Sequence, residues 1–274
     1  MTAVLPDIRH AARGFVASAR VNLLVAAQYR ANMAIWSIAS ILQVVVYLSV
    51  WRAVADARGG TTGGYDAAGF AGYFLVLLVV RELTMTWLPW EFSGHVRSGK
   101  LATMLVRPLH PLIHIVAGSY AFRVQSLTVN LPVAVVLALV FHASIDTSLP
   151  AVLLALVVIP LASATRVLCD SLLAVTSLWL VRIDGIRGIY YTLLLLLGGQ
   201  FAPLGVLPHW AQIAAHALPF WWALGFPVEL LVGQAQPSQA YVGIAVLTAW
   251  VVGLYCILQP IWRRGTRAYE AVGS

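Results

Sequence analysis

Long apolar stretches recur along the chain and are separated by short polar connections. Crossing about 30 Å of hydrocarbon takes about 20 helical residues, and stretches of this kind run through the whole sequence. Six membrane spans are predicted at about Ala31–Val54, Ala68–Leu88, Leu112–Phe141, Ala151–Val181, Gly188–Phe201 and Ala240–Trp262. No stretch is left over for a separate soluble domain. The pattern therefore predicts one all-α integral membrane domain over residues 31–274.

A different pattern precedes the first span. Between Pro6 and Arg30, apolar residues recur near helical spacing with four arginines distributed among them. This pattern is typical of an amphipathic helix that lies in the membrane interface and directs its basic side chains toward phosphate. We predict such a helix within residues 1–30. A loosely ordered basic leader is the alternative.

The segment between the fifth and sixth spans, residues 203–237, is apolar but divided by prolines. The pieces between prolines have at most ten residues, which is too short to cross the membrane. We predict short helices that dip part-way into the membrane. The residues assigned to this outer re-entrant segment are Pro203, Pro208, Pro219, Pro227 and Glu229.

Composition agrees with a membrane protein. Of the 274 residues, 61% are hydrophobic, well above the roughly 45–50% of a soluble domain. The net charge is +7, but the basic residues cluster at span ends, where headgroups and orientation explain them, so nucleic-acid binding is discounted. Cys169 and Cys256 lie in apolar stretches and predict neither a disulfide nor a metal site. The N-terminus lacks the arrangement of a cleaved signal, so the first span is expected to remain.

The distribution of Lys and Arg predicts the orientation. Four lie in the N-terminal segment, three in residues 91–111, two in residues 182–187 and three in the tail, whereas only Arg52 and Arg58 lie on the opposite face. Cytoplasmic connections carry the excess of positive charge. Both termini are therefore predicted to be cytoplasmic.

The segment Glu91–Pro111 is the most basic connection between spans. It carries Arg97, Lys100 and Arg107 with a single acid. One interpretation is a short docking helix that fits a groove on another subunit and is stopped by Pro108 and Pro111. The other is an ordinary cytoplasmic loop whose charges only set the topology.

The same segment contains an incomplete phosphate-binding pattern. Gly94, Gly99 and Lys100 reproduce G-x-x-x-x-G-K, but Leu101 follows where a Ser or Thr would hold Mg²⁺. The segment also follows a membrane span, whereas a P-loop follows a buried strand. We therefore predict no nucleotide site in this chain, so that any ATP and Mg²⁺ would be bound by another subunit.

Five charged residues fall within or near the predicted spans. An unpaired charge at the bilayer centre costs at least about 2.5–3.5 kcal/mol, so these residues are expected to face protein or water. Arg166 and Asp170 are four apart and can pair on one helix face, and Glu82 could pair with Arg123 of the next span. They either line a translocation route or fasten helices together. The set is Arg81, Glu82, Arg123, Arg166 and Asp170.

Signals of catalysis or metal binding are weak. The chain has no G-x-S-x-G and no H-E-x-x-H pattern. His110 and His114 are four apart, but no further acid or histidine cluster joins them. No catalytic residue, metal site or cofactor of its own is predicted, and a membrane enzyme is the least favoured class.

Taken together, several motifs resemble one known family. They are the G-(x)4-GKL-(x)3-LVRPLHP segment, GGQFAPLGVLP, LPFWWALGFPVELLVG and the terminal WRRGTRAYEAVGS. Their order and spacing resemble the permease subunits of ABC-2 transporters, in particular the six-span branch of small bacterial permeases. The resemblance covers essentially the whole chain.

The resemblance implies two permeases, identical or siblings, above two ATPase subunits in a bacterial inner membrane. Residues Glu91–Arg107 are similar to the helix that couples to the ATPase, residues 1–30 to an interfacial connecting helix, and Pro203–Gly233 to a re-entrant pair. The implied cargo is a hydrophobic or amphipathic solute, such as a drug or lipid, that is exported. An ion-coupled secondary transporter or channel is the alternative. The residues assigned to ATPase coupling are Glu91, Gly94, Arg97, Gly99, Lys100, Arg107 and Pro108.

Overall fold

The computed structural model describes residues 13–22, 30–180 and 182–272. Among these residues the regular elements are all helices. Helix α1 covers residues 13–22. The others are α2 (Arg30–Ala57), α3 (Ala67–Thr84), α4 (Leu88–Arg97), α5 (Lys100–Leu105), α6 (Pro111–Val140), α7 (Leu149–Val175), α8 (Asp184–Leu197), α9 (His209–Ala217), α10 (Pro219–Ala223), α11 (Gly225–Leu231) and α12 (Pro237–Val272), with 3₁₀ turns at Thr176–Leu178 and Leu204–Val206.

Five helical segments are long and apolar enough to cross a membrane. They are Ser37–Ala57, Ala67–Arg97, Pro111–Val140, Leu149–Leu178 and Pro237–Tyr269 within the described residues. The all-α membrane architecture is therefore confirmed. The predicted fifth span is instead the 14-residue helix α8, which is only about 21 Å long. The count of six crossings stays a prediction.

The contacts of α8 nevertheless connect the two ends of the bundle. We call the end where α4 and α5 lie the α5 end. There, the ring of Tyr191 stacks on Trp90 of α4 at 4.8 Å between centroids. Beyond the other end of α8, Trp51, near the end of α2, donates a 2.7 Å hydrogen bond to the carbonyl of Phe201. The chain from 184 to 201 thus passes between both ends, which favours a sixth crossing.

Helix α7 lies at the centre of the bundle because its side chains are small where neighbours approach. Ala151, Ala155 and Ala162 are almost fully buried and pack with side chains of α9 to α12. Small residues allow helix backbones to approach closely, and close packing is the main attraction between helices in lipid. Helix α7 therefore holds α12 and the outer segment together.

The structure describes only part of the predicted N-terminal helix. Residues 13–22 form α1, whereas residues 1–12 and 23–29 lie outside the described part. Along α1, Phe15 packs edge-on against Tyr120 with ring centroids 5.5 Å apart, and Ser18 Oγ lies 3.3 Å from His114 Nδ1. Helix α1 thus lies along the first half of α6. Its position in the membrane interface stays a prediction.

The prolines of the outer segment divide it into short helices. Helices α9, α10 and α11 have nine, five and seven residues, and Pro219 and Pro237 each begin a helix. The side chains from Pro219 to Val228 are buried. Because irregular backbone at membrane depth is tolerated only inside protein, this burial suits a segment that enters the membrane without crossing it.

Candidate functional site

The residues predicted to couple to another subunit lie on α4, on α5 and on the loop that follows. Arg97, Lys100 and Arg107 are exposed, as are Glu91 and Pro108. Gly99 separates the two helices with φ +71°, a conformation that glycine adopts without a steric penalty. The turn is thus flanked by exposed cations, Arg97 at the end of α4 and Lys100 at the start of α5.

The other face of α5 is anchored in the protein. Leu101 and Met104 are buried in an apolar cluster that includes Phe92 of α4 and Leu178 after α7. Protein interiors are close-packed, so a force on α5 would be transmitted to these neighbours. A short helix is therefore present in the predicted docking segment, whereas its docking to another subunit stays a prediction. It ends at Leu105 rather than at Pro108, and Pro111 begins α6 instead of ending α5.

His110 caps the start of α6 and packs against α12. Its Nδ1 accepts a hydrogen bond from the backbone N–H of Leu112, at 3.3 Å, and so caps α6. Its ring lies 4.4 Å from the Trp262 ring of α12. Burial lowers the pKa of the His110 imidazole to about 4, so the ring is neutral at physiological pH. A neutral ring can keep the acceptor that the cap needs.

The side chain of Arg123, in α6, caps the C-terminal end of α3. Its Nε donates to the carbonyl of Met85 at 2.7 Å, its Nη2 to the carbonyl of Thr84 at 3.0 Å, and its Nη1 to Ser163 Oγ at 2.8 Å. These carbonyls lie where the helix is interrupted before α4. A cation is favourable at a helix C-terminus, where carbonyls are otherwise unsatisfied.

The suggested pairing of Glu82 with Arg123 is wrong. The guanidinium of Arg123 is used by the interrupted end of α3 and by α7. Glu82 is only 3% exposed, and among the described residues it forms no ion pair. The physical reason is the break at residues 85–87, which presents carbonyl groups to the arginine at closer range than the neighbouring carboxylate.

Arg166 and Asp170 lie together on α7, as their spacing predicts. Arg166 Nη2 is 3.9 Å from Asp170 Oδ2, and both side chains are buried. The same Asp170 oxygen accepts a 2.6 Å hydrogen bond from Thr86, just before α4. This carboxylate therefore joins α7 to the interruption that Arg123 holds from the other side.

Arg81 has a different environment from the other two arginines. Its Nη1 donates to Gln43 Oε1 of α2 at 2.8 Å, and Gln43 Nε2 donates to the hydroxyl of Tyr47 at 3.2 Å. Arg81 is partly exposed, and among the described residues it has no ion-pair partner. Arg81 thus connects α3 to α2 through Gln43.

The outer segment contains a partly buried carboxyl group, that of Glu229, outside the spanning helices. Glu229 Oε1 accepts a 3.3 Å hydrogen bond from the indole N–H of Trp221. Desolvation raises the pKa of Glu229 to about 7, although Trp221 and the backbone of Leu204 partly stabilise its charge. Four prolines shape the backbone of the segment that contains Glu229, and none of them has a polar side chain. They are Pro203, Pro208, Pro219 and Pro227.

Sequence reasoning missed an aromatic site at the α5 end. The Arg187 guanidinium lies 4.7 Å from the ring of Trp90, which also stacks on Tyr191. A nearby cavity of about 470 Å³ opens between α1, α4 and α6. The two tryptophans around Pro89 and the adjacent tyrosines of α8 were the available signals. The cavity is lined by Asn22, Trp87, Trp90, Glu91, Gly118, Ser119 and Phe122.

Several long apolar helices, with exposed basic residues at one end, define a multi-pass membrane protein. A family model described as ABC-2 family transporter protein matches residues 41–273. The chain belongs to this family and is a membrane permease of an ABC transporter, a class that works with an ATP-binding subunit. A search of the curated proteins finds no match to this chain.

Proposed function

We propose that this chain is the permease of an ATP-driven exporter and that its α4–α5 segment is the point at which a separate ATPase subunit docks. The proposal rests on one observation: one face of α5 is exposed and the opposite face is buried in the bundle. Lys100 projects outward while Leu101 and Met104 are fixed in the bundle. A partner bound to the exposed side can therefore move the ends of α6, α7 and α12.

The proposal includes an orientation and an assembly. The α5 end is cytoplasmic, since the basic residues collect there. Two permeases, identical or siblings, assemble with two ATPase subunits in a bacterial inner membrane, and ATP and Mg²⁺ belong to the ATPase. The solute is hydrophobic or amphipathic, such as a drug or lipid, because the wide apolar surface of the spans offers few charges to a strongly polar cargo.

Docking can be tested by purifying the tagged chain from its native membrane and measuring the ABC ATPase subunit that co-purifies with it. Replacing Arg97 and Lys100 by Glu reverses the charge of the exposed surface without touching Leu101 or Met104. We expect the ATPase to be lost from the purified complex. The control is Arg58→Glu, an exposed arginine in the turn after α2, which should leave the complex intact. Retention of the ATPase by the double variant would refute docking here.

The cargo needs a separate experiment. Vesicles that contain the complex are assayed for ATP-dependent uptake of an amphipathic solute and of a sugar polymer. We expect the amphipathic solute to move. Uptake of the polymer alone would contradict the proposed cargo while leaving the docking site untouched.

An ion-coupled secondary transporter is the second candidate, because Arg81 and Glu82 are membrane charges without an ion pair among the described residues. Intramembrane ionisable residues commonly mark ion pathways. Transport by this chain alone, driven by an ion gradient and independent of ATP, would support it over the ATP-driven reading.

A further inference from the structure

The cavity at the α5 end has walls made largely of aromatic rings. Three rings line it, those of Trp87 and Trp90 at the start of α4 and that of Phe122 in α6. The centroid of the Trp87 ring lies 5.6 Å from that of Trp90 and 5.9 Å from that of Phe122, and both pairs meet edge to face. Rings in this arrangement form adjoining walls, whereas flat stacking would cover their faces. Because the faces of aromatic rings are electron-rich, the cavity is favourable to a positive charge.

Among the described residues, one charged side chain lines the cavity, that of Glu91 in the first turn of α4. The two other polar side chains of the lining are neutral. Ser119 Oγ accepts a 3.3 Å hydrogen bond from the backbone N–H of Trp87. The side-chain amide of Asn22 donates a 2.9 Å hydrogen bond to a backbone carbonyl of α1. Glu91 forms no ion pair within the described part of the chain, so the lining carries a negative charge without a counter-ion there.

Two basic residues of the α5 end lie near the cavity but do not line it. The Arg187 guanidinium is 4.7 Å from the centroid of the Trp90 ring, but it forms an ion pair with Asp184 of the same helix. Lys100, at the start of α5, is exposed, and water and salt screen charges at the surface. The contact with Arg187 shows, in addition, that an aromatic ring of this wall attracts a cation. Glu91 is therefore left as the counter-charge for a cation inside the cavity.

The cavity lies at a depth that a molecule dissolved in the membrane can reach. Helix α6 has 30 residues and is about 45 Å long, so it extends about 7 Å beyond the hydrocarbon at each end. Gly118 and Phe122 follow Pro111, the first residue of α6, by about 10–17 Å along the helix. The Trp90 side chain is 40% exposed, so the cavity is open at its rim. A ligand can thus keep an apolar chain in lipid while its head group enters the cavity.

We propose that this cavity binds the ammonium group of an amphipathic molecule whose apolar chain lies in the membrane. The aromatic walls favour an organic ammonium, and Glu91 supplies the opposite charge. Two sources share this chemistry, namely a transported solute and a membrane lipid with an ammonium headgroup. In the first case the inference rests on the proposed function and narrows the cargo to amphipathic cations. Binding itself requires this chain and no partner subunit.

Binding is measured with radiolabelled dodecyltrimethylammonium on the purified chain in a neutral detergent. Labelled dodecyl phosphate, which has the same chain and the opposite charge, is measured separately. We expect saturable binding of the ammonium and none of the phosphate. Glu91→Gln should weaken binding of the ammonium about tenfold, since it removes the counter-charge and keeps the shape of the side chain. Asp56→Asn is the matched control and should bind as the parent does, because Asp56 is an exposed carboxylate near the end of α2, away from the cavity.

Phe122→Leu tests the aromatic wall independently of the charge. The substitution keeps an apolar side chain and removes the ring, so binding of the ammonium should weaken about threefold or more while the protein remains folded. Phe201→Leu is its control and should bind as the parent does, because Phe201 packs against Trp51 beyond the other end of α8. Parental affinity in both Glu91→Gln and Phe122→Leu, or equal binding of dodecyl phosphate, would overturn the proposal and leave the cavity as a site for water or lipid chains only.

Two further measurements distinguish the sources of the ammonium group. In nanodiscs, competition by phosphatidylethanolamine, but not by phosphatidylglycerol, assigns the site to a membrane lipid. ATP-dependent uptake of dodecyltrimethylammonium by vesicles that contain the complex, reduced in Phe122→Leu, assigns it to a solute. Phe122 is the residue to change here because Glu91 also belongs to the predicted coupling segment. Failure of ATPase docking would not affect the binding assay, so the two proposals can fail separately.

Discussion

Arg123 Nε donates a 2.7 Å hydrogen bond to the carbonyl of Met85, and this bond ties α6 to the point where α3 is interrupted. The interruption precedes the exposed α4–α5 segment. Asp170 of α7 reaches the same point through Thr86. Two neighbouring helices therefore fix the direction in which α4 and α5 leave the bundle.

Removing the Arg123 guanidinium should destabilise the protein strongly. Arg123→Ala leaves the carbonyls of Thr84 and Met85 and the hydroxyl of Ser163 without their donor in a buried place. Breaking a buried charged network by removing one partner costs about 3–5 kcal/mol. Unfolding of the purified protein by a denaturing detergent should therefore occur at a much lower detergent fraction.

The control for this experiment is Arg52→Ala. Arg52 lies 5.6 Å from the centroid of the Phe141 ring, and no hydrogen bond from its side chain is found in the described part of the chain. Its loss should cost about 1 kcal/mol or less. Arg123→Lys should recover only part of the stability, because one ammonium cannot reproduce three fixed N–H directions. Equal stability of Arg123→Ala and Arg52→Ala would contradict the assigned role.

The two glycines of the incomplete phosphate-binding pattern should respond differently to substitution by alanine. Gly99 has φ +71°, so Gly99→Ala should strain the turn by about 1–2 kcal/mol even though open space surrounds it. Gly94 lies within α4, also faces open space, and should gain about 0.5–1 kcal/mol of helix stability as alanine. Thermal unfolding of both variants checks the prediction. A destabilised Gly94→Ala alongside an unchanged Gly99→Ala would refute it.

The large apolar elements could be predicted from the sequence because one physical requirement determines them. A helix that crosses hydrocarbon needs a long apolar stretch, and five of the six predicted spans correspond to α2, to α3 with α4, and to α6, α7 and α12. The end of the predicted fifth span, Gly188–Phe201, could not be predicted from the sequence. Helix α8 ends before Gly198 and Gly199, whereas the apolar residues continue beyond it. Apolarity alone does not show where a helix ends.

The candidate site could be predicted only where contacts are local. The spacing of Arg166 and Asp170 places both on one helix face whatever the rest of the fold does. The partner of Arg123 depends instead on a break in another helix, and the stacking of Trp90 on Tyr191 joins residues 101 positions apart in the chain. Such contacts follow from the packing of the whole bundle, which single-residue patterns do not contain.

Acidification should destabilise the folded protein by protonating His110. The folded pKa of about 4 lies below the unfolded value of about 6.5, so the unfolded chain binds more protons between these values. The stability is fully present above about pH 6.5 and is lost progressively as pH falls toward about 4, by up to about 2–3 kcal/mol. His110→Asn keeps a capping oxygen without a titrating group. Thermal unfolding at about pH 7 and about pH 5 should show a smaller pH-dependent loss in the variant than in the parent.

The contribution of Glu229 to the free energy of unfolding should depend on pH in the opposite direction. Its folded pKa of about 7 lies above the unfolded value of about 4.5, so the folded chain holds the proton more tightly. The stabilisation is present below about pH 4.5 and is lost as pH rises through about 7, by up to about 3 kcal/mol. Glu229→Gln keeps an oxygen that can accept from Trp221 and removes the charge. The variant should therefore exceed the parent in thermal stability at about pH 8 by more than at about pH 5. A gain of equal size at both values would show that the carboxyl is already ionised in the folded protein and that burial does not control its titration.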